Sequence, residues 1–434
     1  MKPILIVDPS CTSVHGHHLK SLEDLVAVVA PRTATVLVNA RLPQGAFARE
    51  PELCVHRSFK ATVYDEPGLG PRPNGRLRRR LWKFNKGALV AENAARFALT
   101  RARARLAPND LALAARLEDW EWSRWRVKWP ELEGALRTAI RAPVGHIIAP
   151  SADVELISGL ADMRERQPDL RDAQIHARII TPSPALERLA APAAASESTR
   201  ATHAQRMAGV YLYVETGAMQ RHLREAYGLA SEVYPYLLNP PACVAPGRDA
   251  SRATFGYFGG KRNEKGFPRL ETILSLVAAR RRAGDQALSF VIHASDARGN
   301  EADDLRERFA TIAGPGLDIE FIAGPLSEAE YAHRFEQIDV ALLPYTGARY
   351  ALSGSGIVCE ALAAGKGIVM TAGLSFADAC LPEAMREAAN DSEFADAILS
   401  MARDIVGVRA AAAERAVTYA AEVRGCALLK RLAE

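Results

Sequence analysis

The sequence predicts an α/β chain built from two Rossmann-like units, each a parallel sheet covered by helices. Three observations carry this. Apolar runs of strand length alternate with helical patterns, as in sheets buried on both faces. The alternation starts twice, at the N-terminus and again past residue 250. A chain of 434 residues, 48% hydrophobic, is too long for one ordinary core and apolar enough for two.

In chain order, "ILIVD" (4–8), "ATVLVNA" (34–40), "HIIAP" (146–150), "AQIHARII" (173–180) and "GVYLYVE" (209–215) read as the strands of the first unit. "ATFGYFG" (253–259), "LSFVIHAS" (288–295), "DIEFIAG" (318–324), "DVALLPY" (339–345) and "GIVMT" (367–371) read as those of the second. Between these lie helical stretches, one opened by the capping-box pair Ser327 and Glu330. The proline-rich stretch 234–250 marks the seam, giving domains 1–240 and 241–434. The alanine-rich end of the chain reads as a terminal helix, and 191–201 as a low-complexity surface loop.

Composition excludes several classes. A net charge of +4 is too small for a chain that coats polyanions. Six scattered cysteines without a C-x-x-C pair argue against a disulfide framework or a zinc site and fit a reducing compartment. "MKPILIVDPS" is too short in apolar residues for a signal peptide, and no run approaches the ~18 apolar residues of a membrane span. The expected location is cytoplasmic.

Residues 72–105 break the charge balance, with eleven cations against Glu92 alone. That is +10 in a chain of +4, so the rest carries −6. "RLRRRLWKF", with Trp82 and Phe84 among the arginines, is either a solvated face or a peripheral contact with an anionic membrane. It belongs to a basic helical insertion spanning about 72–142. Trp122, Trp125 and Trp129, continued by Leu132 and Leu136, recur at helical spacing and read first as packing, with Pro130 suited to the first turn of a new helix.

Two stretches of the second domain carry chemistry. In "GYFGGKRNEKGF" (256–267) a strand opens into Gly259 and Gly260, then Lys261, Arg262 and Lys265. A doubly wound sheet binds its ligand at such a loop. Glycine permits close backbone approach, Arg262 offers a planar fork to phosphate oxygens, and Lys265 offers a mobile charge. A solvated charged turn is the bland alternative. In "DVALLPYTGARYALSGSGIVCEALAAGKGIVMT" (339–371), Gly354, Ser355 and Gly356 start a helix and Glu360 lies on its first turns. A helix N-terminus suits a diphosphate. A carboxylate one turn deeper suits the two hydroxyls of a ribose, or else simply complements the helix.

Together these stretches resemble the second domain of nucleotide-sugar-dependent glycosyltransferases of the GT-B fold, two Rossmann-like domains facing a cleft. The resemblance is closest to the retaining family four (glycosyl transferases group 1), which builds bacterial polysaccharides. The family's diphosphate loop stands here as "GGKRNEKGF" and its ribose helix as "SGIVCEALAAGK", a match covering roughly 253–372. The resemblance implies that Arg262 and Lys265 meet diphosphate, Ser355 and Gly356 the phosphate or sugar, and Glu360 the ribose. The family has two glutamates with seven residues between them, whereas here Leu352 stands at the first of those positions, eight before Glu360. Tyr345, Tyr350 or Ser353 would then recognise the donor sugar, or activity is lost.

In the first domain, "SVHGHHLKSLEDL" (13–25) follows the first strand and partly matches the glycine-rich loop that related enzymes place near donor phosphate or acceptor. Gly16 and His18 are acceptor-side candidates. His17, able to bond a phosphate or an acceptor hydroxyl, joins Arg262 and Lys265 as a catalytic candidate. Glu215 and Thr216, at a strand end, are further acceptor-side candidates, with a helix N-cap as the alternative. Arg178 is a weaker candidate.

The expected function is transfer of a sugar from a nucleoside diphosphate donor to a carbohydrate or lipid-linked acceptor. The nucleotide sugar is substrate, and no cofactor is expected. No Asp-x-Asp stands where a metal would be needed, since "SDARGNEADDL" (295–305) reads as a loop and helix start, so cations would replace Mg²⁺. Three alternatives remain. An epimerase would need a cluster of carboxylates, a GT-B-like scaffold without catalysis is favoured by Leu352, and a nucleic-acid binder would rest on residues 72–105 alone.

Overall fold

In a computed structural model, which describes residues 2–434 apart from 14–16, 31, 48–52, 66–121, 191–196, 235–237, 239–250, 283 and 347, the chain divides into two units. The first comprises Met1–Val214, Gln220–Tyr234 and Arg431–Glu434, and the second Glu215–Met219 and Pro235–Lys430. The basic stretch 72–105 and most of the proline-rich seam lie outside the described residues.

The first unit is a parallel sheet of seven strands in the order β3-β2-β1-β4-β5-β6-β7. The strands are β1 (Ile4–Asp8), β2 (Ala34–Asn39), β3 (Cys54–Phe59), β4 (His146–Ala152), β5 (Gln174–Ile179), β6 (Val210–Val214) and β7 (Glu232–Val233). β1 and β4 are buried along their whole length, which is why their sequences are continuous apolar runs rather than alternating ones. The chain reverses its direction of growth between β1 and β4, which pair in parallel from Ile4 opposite His146. In such a sheet ligands bind beyond the carboxyl ends of the strands at that reversal.

The tryptophan stripe is buried, but it does not run along one helix. Trp125–Lys128 ends before Pro130, and Leu132–Ala139 follows. Proline lacks the N–H that a continuing helix needs. Trp125 and Leu132 close over Gly159, where a Cβ would come within 2.6 Å of Leu132. Trp125 Nε1 donates to Asp162 at 3.1 Å and Trp129 Nε1 to Asp153 at 3.3 Å, so both buried rings have a partner for their one polar atom.

The second unit repeats the plan with six parallel strands, β10-β9-β8-β11-β12-β13. They are β8 (Arg252–Gly259), β9 (Ala287–Ala294), β10 (Leu317–Ala323), β11 (Val340–Leu343), β12 (Gly367–Thr371) and β13 (Met385–Ala388). Its reversal lies between β8 and β11, which pair through Val340 and Phe255. Phe255 stacks on Phe290 at 5.4 Å inside one of the two cores flanking this sheet. Burying one such ring stabilises by roughly 1.5–3 kcal/mol. The helix Glu328–Gln337 carries the expected capping box, with Ser327 Oγ accepting from Glu330 N at 3.3 Å and Glu330 accepting from Ser327 N at 2.9 Å.

The end of the chain is two helices rather than one. Ile405–Arg424 stops at Gly425 and Ala427–Ala433 follows, with Arg431–Glu434 grouped in the first unit. There Arg431 forms a bidentate ion pair with Glu232 and donates to Tyr213 at 3.1 Å.

Candidate functional site

At the carboxyl end of β8 the loop of three cations folds into a 3₁₀ turn over Asn263–Lys265. Gly266 then adopts φ 69°, and a Cβ there would lie 1.7 Å from the Pro344 carbonyl oxygen, so only glycine fits. This closeness docks the β8 loop onto the loop after β11. Thr346 N donates to Glu264 O at 3.0 Å, and Thr346 Oγ1 donates to Asn263 O at 2.8 Å. Gly260 lies against Asp296, which accepts the Lys261 N–H at 2.7 Å, and the Tyr257 hydroxyl donates to Gly260 O at 2.8 Å.

The cations have different surroundings. Lys261 pairs with Glu301, and Arg262 pairs with its neighbour Glu264 at 3.2 Å. Arg262 is half-exposed, so that pair is worth little and its guanidinium can exchange the carboxylate for phosphate. The Lys265 ammonium lies 5.8 Å over the ring of Tyr345 and reaches back along Gly259.

Tyr345 joins this loop to the next. Its hydroxyl and Ser355 Oγ share a hydrogen bond of 3.1 Å, and its ring packs 4.5 Å from that of Tyr350. Burial pushes its phenol pKa well up, so it stays protonated and serves as a neutral donor or acceptor. Ser355 is the N-cap residue of the helix Gly356–Ala363, which carries Glu360. Glu360 accepts a hydrogen bond from the Tyr331 hydroxyl. Tyr331 is held by stacking on Phe335 at 5.8 Å and edge contact with Phe258 at 5.4 Å. The residues expected to meet diphosphate and ribose thus sit on the loop after β8 and on the loop and helix after β11, at the sheet reversal of one unit. A cavity of about 480 Å³ opens beside them, lined by Arg269, Tyr345, Thr346, Thr371, Gly373 and Asp391 among others. Arg269 fixes that wall, donating to Pro344 O and Thr371 Oγ1, each at 2.9 Å, and to Asp391 at 2.6 Å.

The turn before this helix is tied down by side chains distant in sequence. Thr216 Oγ1 donates to Leu352 O at 2.7 Å, Ser375 Oγ donates to Ser353 O at 2.8 Å, and Glu215 Oε2 accepts from Gly354 N at 3.2 Å. Sequence order put Glu215 and Thr216 on the acceptor side. In the structure Glu215–Met219 belongs to the second unit, the one that holds this turn. Thr216 is also an N-cap, accepting from Met219 N at 3.1 Å.

In the first unit, His18 stands at the β1–β4 reversal, early in the helix His17–Val29. Its Nδ1 lies 3.4 Å from Asp8 Oδ2 and 3.1 Å from Ser151 Oγ, and its Nε2 lies 3.2 Å from the Tyr64 hydroxyl. Asp8 is buried and accepts the Ser10 N–H at 2.9 Å. A carboxylate only accepts, so it favours the proton on Nδ1, leaving Nε2 to accept from Tyr64. Gly16 and the His17 side chain lie outside the described residues. Arg178 is buried, donates to Pro150 O at 2.7 Å and lies 4.7 Å over the Tyr234 ring. Asp8, Tyr64, Ser151, Asp296, Tyr331 and Ser375 escape the sequence reading. Asp8, as the last residue of the first strand, carries the one signal that could have found it.

No family model matches the chain, and no curated protein matches it. Solved structures do. Sucrose-phosphate synthase from Thermosynechococcus elongatus is 13% identical over 98% of this chain and 95% of its own, with a TM-score of 0.55. HepE of Anabaena in complex with UDP is 15% identical over 99% of both chains, with a TM-score of 0.57. HepE in complex with UDP-glucose is 14% identical over 100% of this chain and 98% of its own, with a TM-score of 0.53. At these identities the likeness establishes the fold: the chain is an α/β protein of two parallel-sheet units, the architecture of GT-B glycosyltransferases.

Proposed function

We propose that the chain is a glycosyltransferase that takes a sugar from a nucleoside diphosphate donor and passes it to a carbohydrate or lipid-linked acceptor. One observation carries the reading. The Arg262–Lys265 loop and the Ser355–Glu360 helix, far apart in sequence, meet at the β8–β11 reversal through Thr346 and Tyr345. Similar solved structures hold UDP and UDP-glucose, which supports a nucleotide sugar as ligand.

Arg262, Lys265 and the N-terminus of the helix Gly356–Ala363 surround the place where the leaving diphosphate gathers charge. Preorganised cations and N–H dipoles lower the barrier by meeting charge as it develops. Glu360, oriented by Tyr331, accepts hydrogen bonds from the ribose hydroxyls. The acceptor binds to the first unit near His18, with His17 as a further candidate. The transfer retains anomeric configuration and runs without metal, the cations taking its place, and the +10 segment 72–105 brings the enzyme to an anionic membrane surface. Release of nucleoside diphosphate from a panel of UDP-, GDP-, dTDP- and ADP-sugars tests this reading, and a chain that releases none from any of them contradicts it.

Leu352 favours a second reading, a nucleotide-sugar-binding protein without transfer. It would bind donor in the same panel and leave it intact.

A further inference from the structure

The turn 352–355 lacks a carboxylate of its own but has one pressed against it. Gly354 has no side chain, and a Cβ there would fall 2.9 Å from Glu215 Cβ and 3.0 Å from Glu215 Oε2. The Glu215 carboxylate therefore fills the space that a side chain at 354 would take. It is held by the Gly354 N–H at 3.2 Å and by its neighbour Thr216, whose hydroxyl grips the Leu352 carbonyl at 2.7 Å. One residue further on, Ser355 bonds Tyr345 and starts the helix of Glu360.

We propose that Glu215 recognises the transferred sugar, supplying from a distant segment the hydroxyl-accepting carboxylate that Leu352 cannot provide. This rests on the donor-site reading above. A carboxylate has about four lone-pair sites, enough to accept from the Gly354 N–H and from sugar hydroxyls together. Pairs of hydroxyls held by one carboxylate are charge-assisted and directional, which suits recognition of a hexosyl group. The same contacts make Gly354 obligatory, since any side chain there would displace Glu215 from the turn.

The test compares wild type, Glu215→Gln, Glu215→Ala and the double variant Glu215→Ala/Leu352→Glu. The probes are the nucleoside diphosphate and the matching nucleotide glucose that bind best in the four-base panel. Glu215→Gln is expected to hold the nucleoside diphosphate within about twofold of wild type, because the amide oxygen still accepts the Gly354 N–H. Its kcat/KM for the nucleotide sugar should fall roughly ten- to hundredfold, the size of one charge-assisted bond. The double variant should regain about tenfold over Glu215→Ala, since it returns a carboxylate to the turn. A merely structural pin gives the opposite pattern, with Glu215→Gln normal toward both probes and Glu215→Ala weakened equally toward both. That pattern overturns the Glu215 assignment and leaves the donor site standing. If no nucleoside diphosphate binds wild type, the donor site itself falls and this inference with it.

Discussion

The Tyr331 hydroxyl donates to the Glu360 carboxylate, and both residues are partly buried beside the aromatic cluster of Phe258 and Phe335. The bond fixes one oxygen of Glu360 and aims the group before any ligand arrives. If Glu360 holds ribose, Glu360→Gln should weaken donor binding by roughly ten- to hundredfold, the size of lost charge-assisted bonds. Wild type should bind a ribonucleotide more tightly than its 2′,3′-dideoxy form, and the variant should not. Tyr331→Phe should show a smaller loss of the same kind. A variant that keeps the full ribose preference rules out this role.

Burial first, then His146 and Arg431, pushes the His176 pKa down to about 3 from 6.5. Its ring lies 3.1 Å from His146 and 3.0 Å from the Tyr213 hydroxyl, stacked on Tyr211. Folded His176 is neutral, and the unfolded chain takes up the proton below 6.5. Its contribution is therefore fully present above that pH and is lost as pH falls toward the folded value, by up to about 1.4 kcal/mol per pH unit. His146, lowered by burial and then by Arg32, adds in the same direction. Tm should drop between about pH 6.5 and pH 4, and less steeply in His176→Gln. Equal slopes for variant and wild type contradict this.

The proposed metal independence rests on the cations of the loop after β8 standing in for Mg²⁺. Turnover of the nucleotide sugar should survive EDTA. Complete loss, restored by Mg²⁺ or Mn²⁺, would contradict it.

The +10 segment motivates a membrane test. Among the described residues no helix is long and apolar enough to cross a membrane. Each cation at an anionic surface contributes about 1 kcal/mol, screened by salt. Liposome flotation should require anionic lipid, fade with salt, and drop when Arg78, Arg79 and Arg80 become glutamate. Equal flotation with neutral and anionic vesicles, or none with either, removes the membrane contact and leaves the transferase reading intact.

The buried strands were legible because full burial writes them as apolar runs. β3, β7 and β13 were not, and each lies at a sheet edge. β3, "CVHRSF", is polar and mostly half-buried, β7 has two residues and β13 four. Glu360 and the β8 loop were legible because local chemistry, a helix start and a glycine turn, announces them. Glu215 was legible as a residue but not as a neighbour of Gly354, for no local pattern encodes a contact across 139 positions. The same holds for Tyr331, whose meaning depends on the fold bringing two helices together. The terminal helix was read as continuous because alanine favours helix everywhere, and Gly425 alone marks its break.

The central claim is that the three-cation loop holds a donor diphosphate. Calorimetric titration of wild type and Arg262→Ala/Lys265→Ala with the best-binding nucleoside diphosphate tests it most directly. Two charge-assisted contacts of roughly 1.5–3 kcal/mol each should make the double variant at least about a hundredfold weaker, with its Tm kept within a few degrees. Wild-type affinity in a folded double variant would contradict the account.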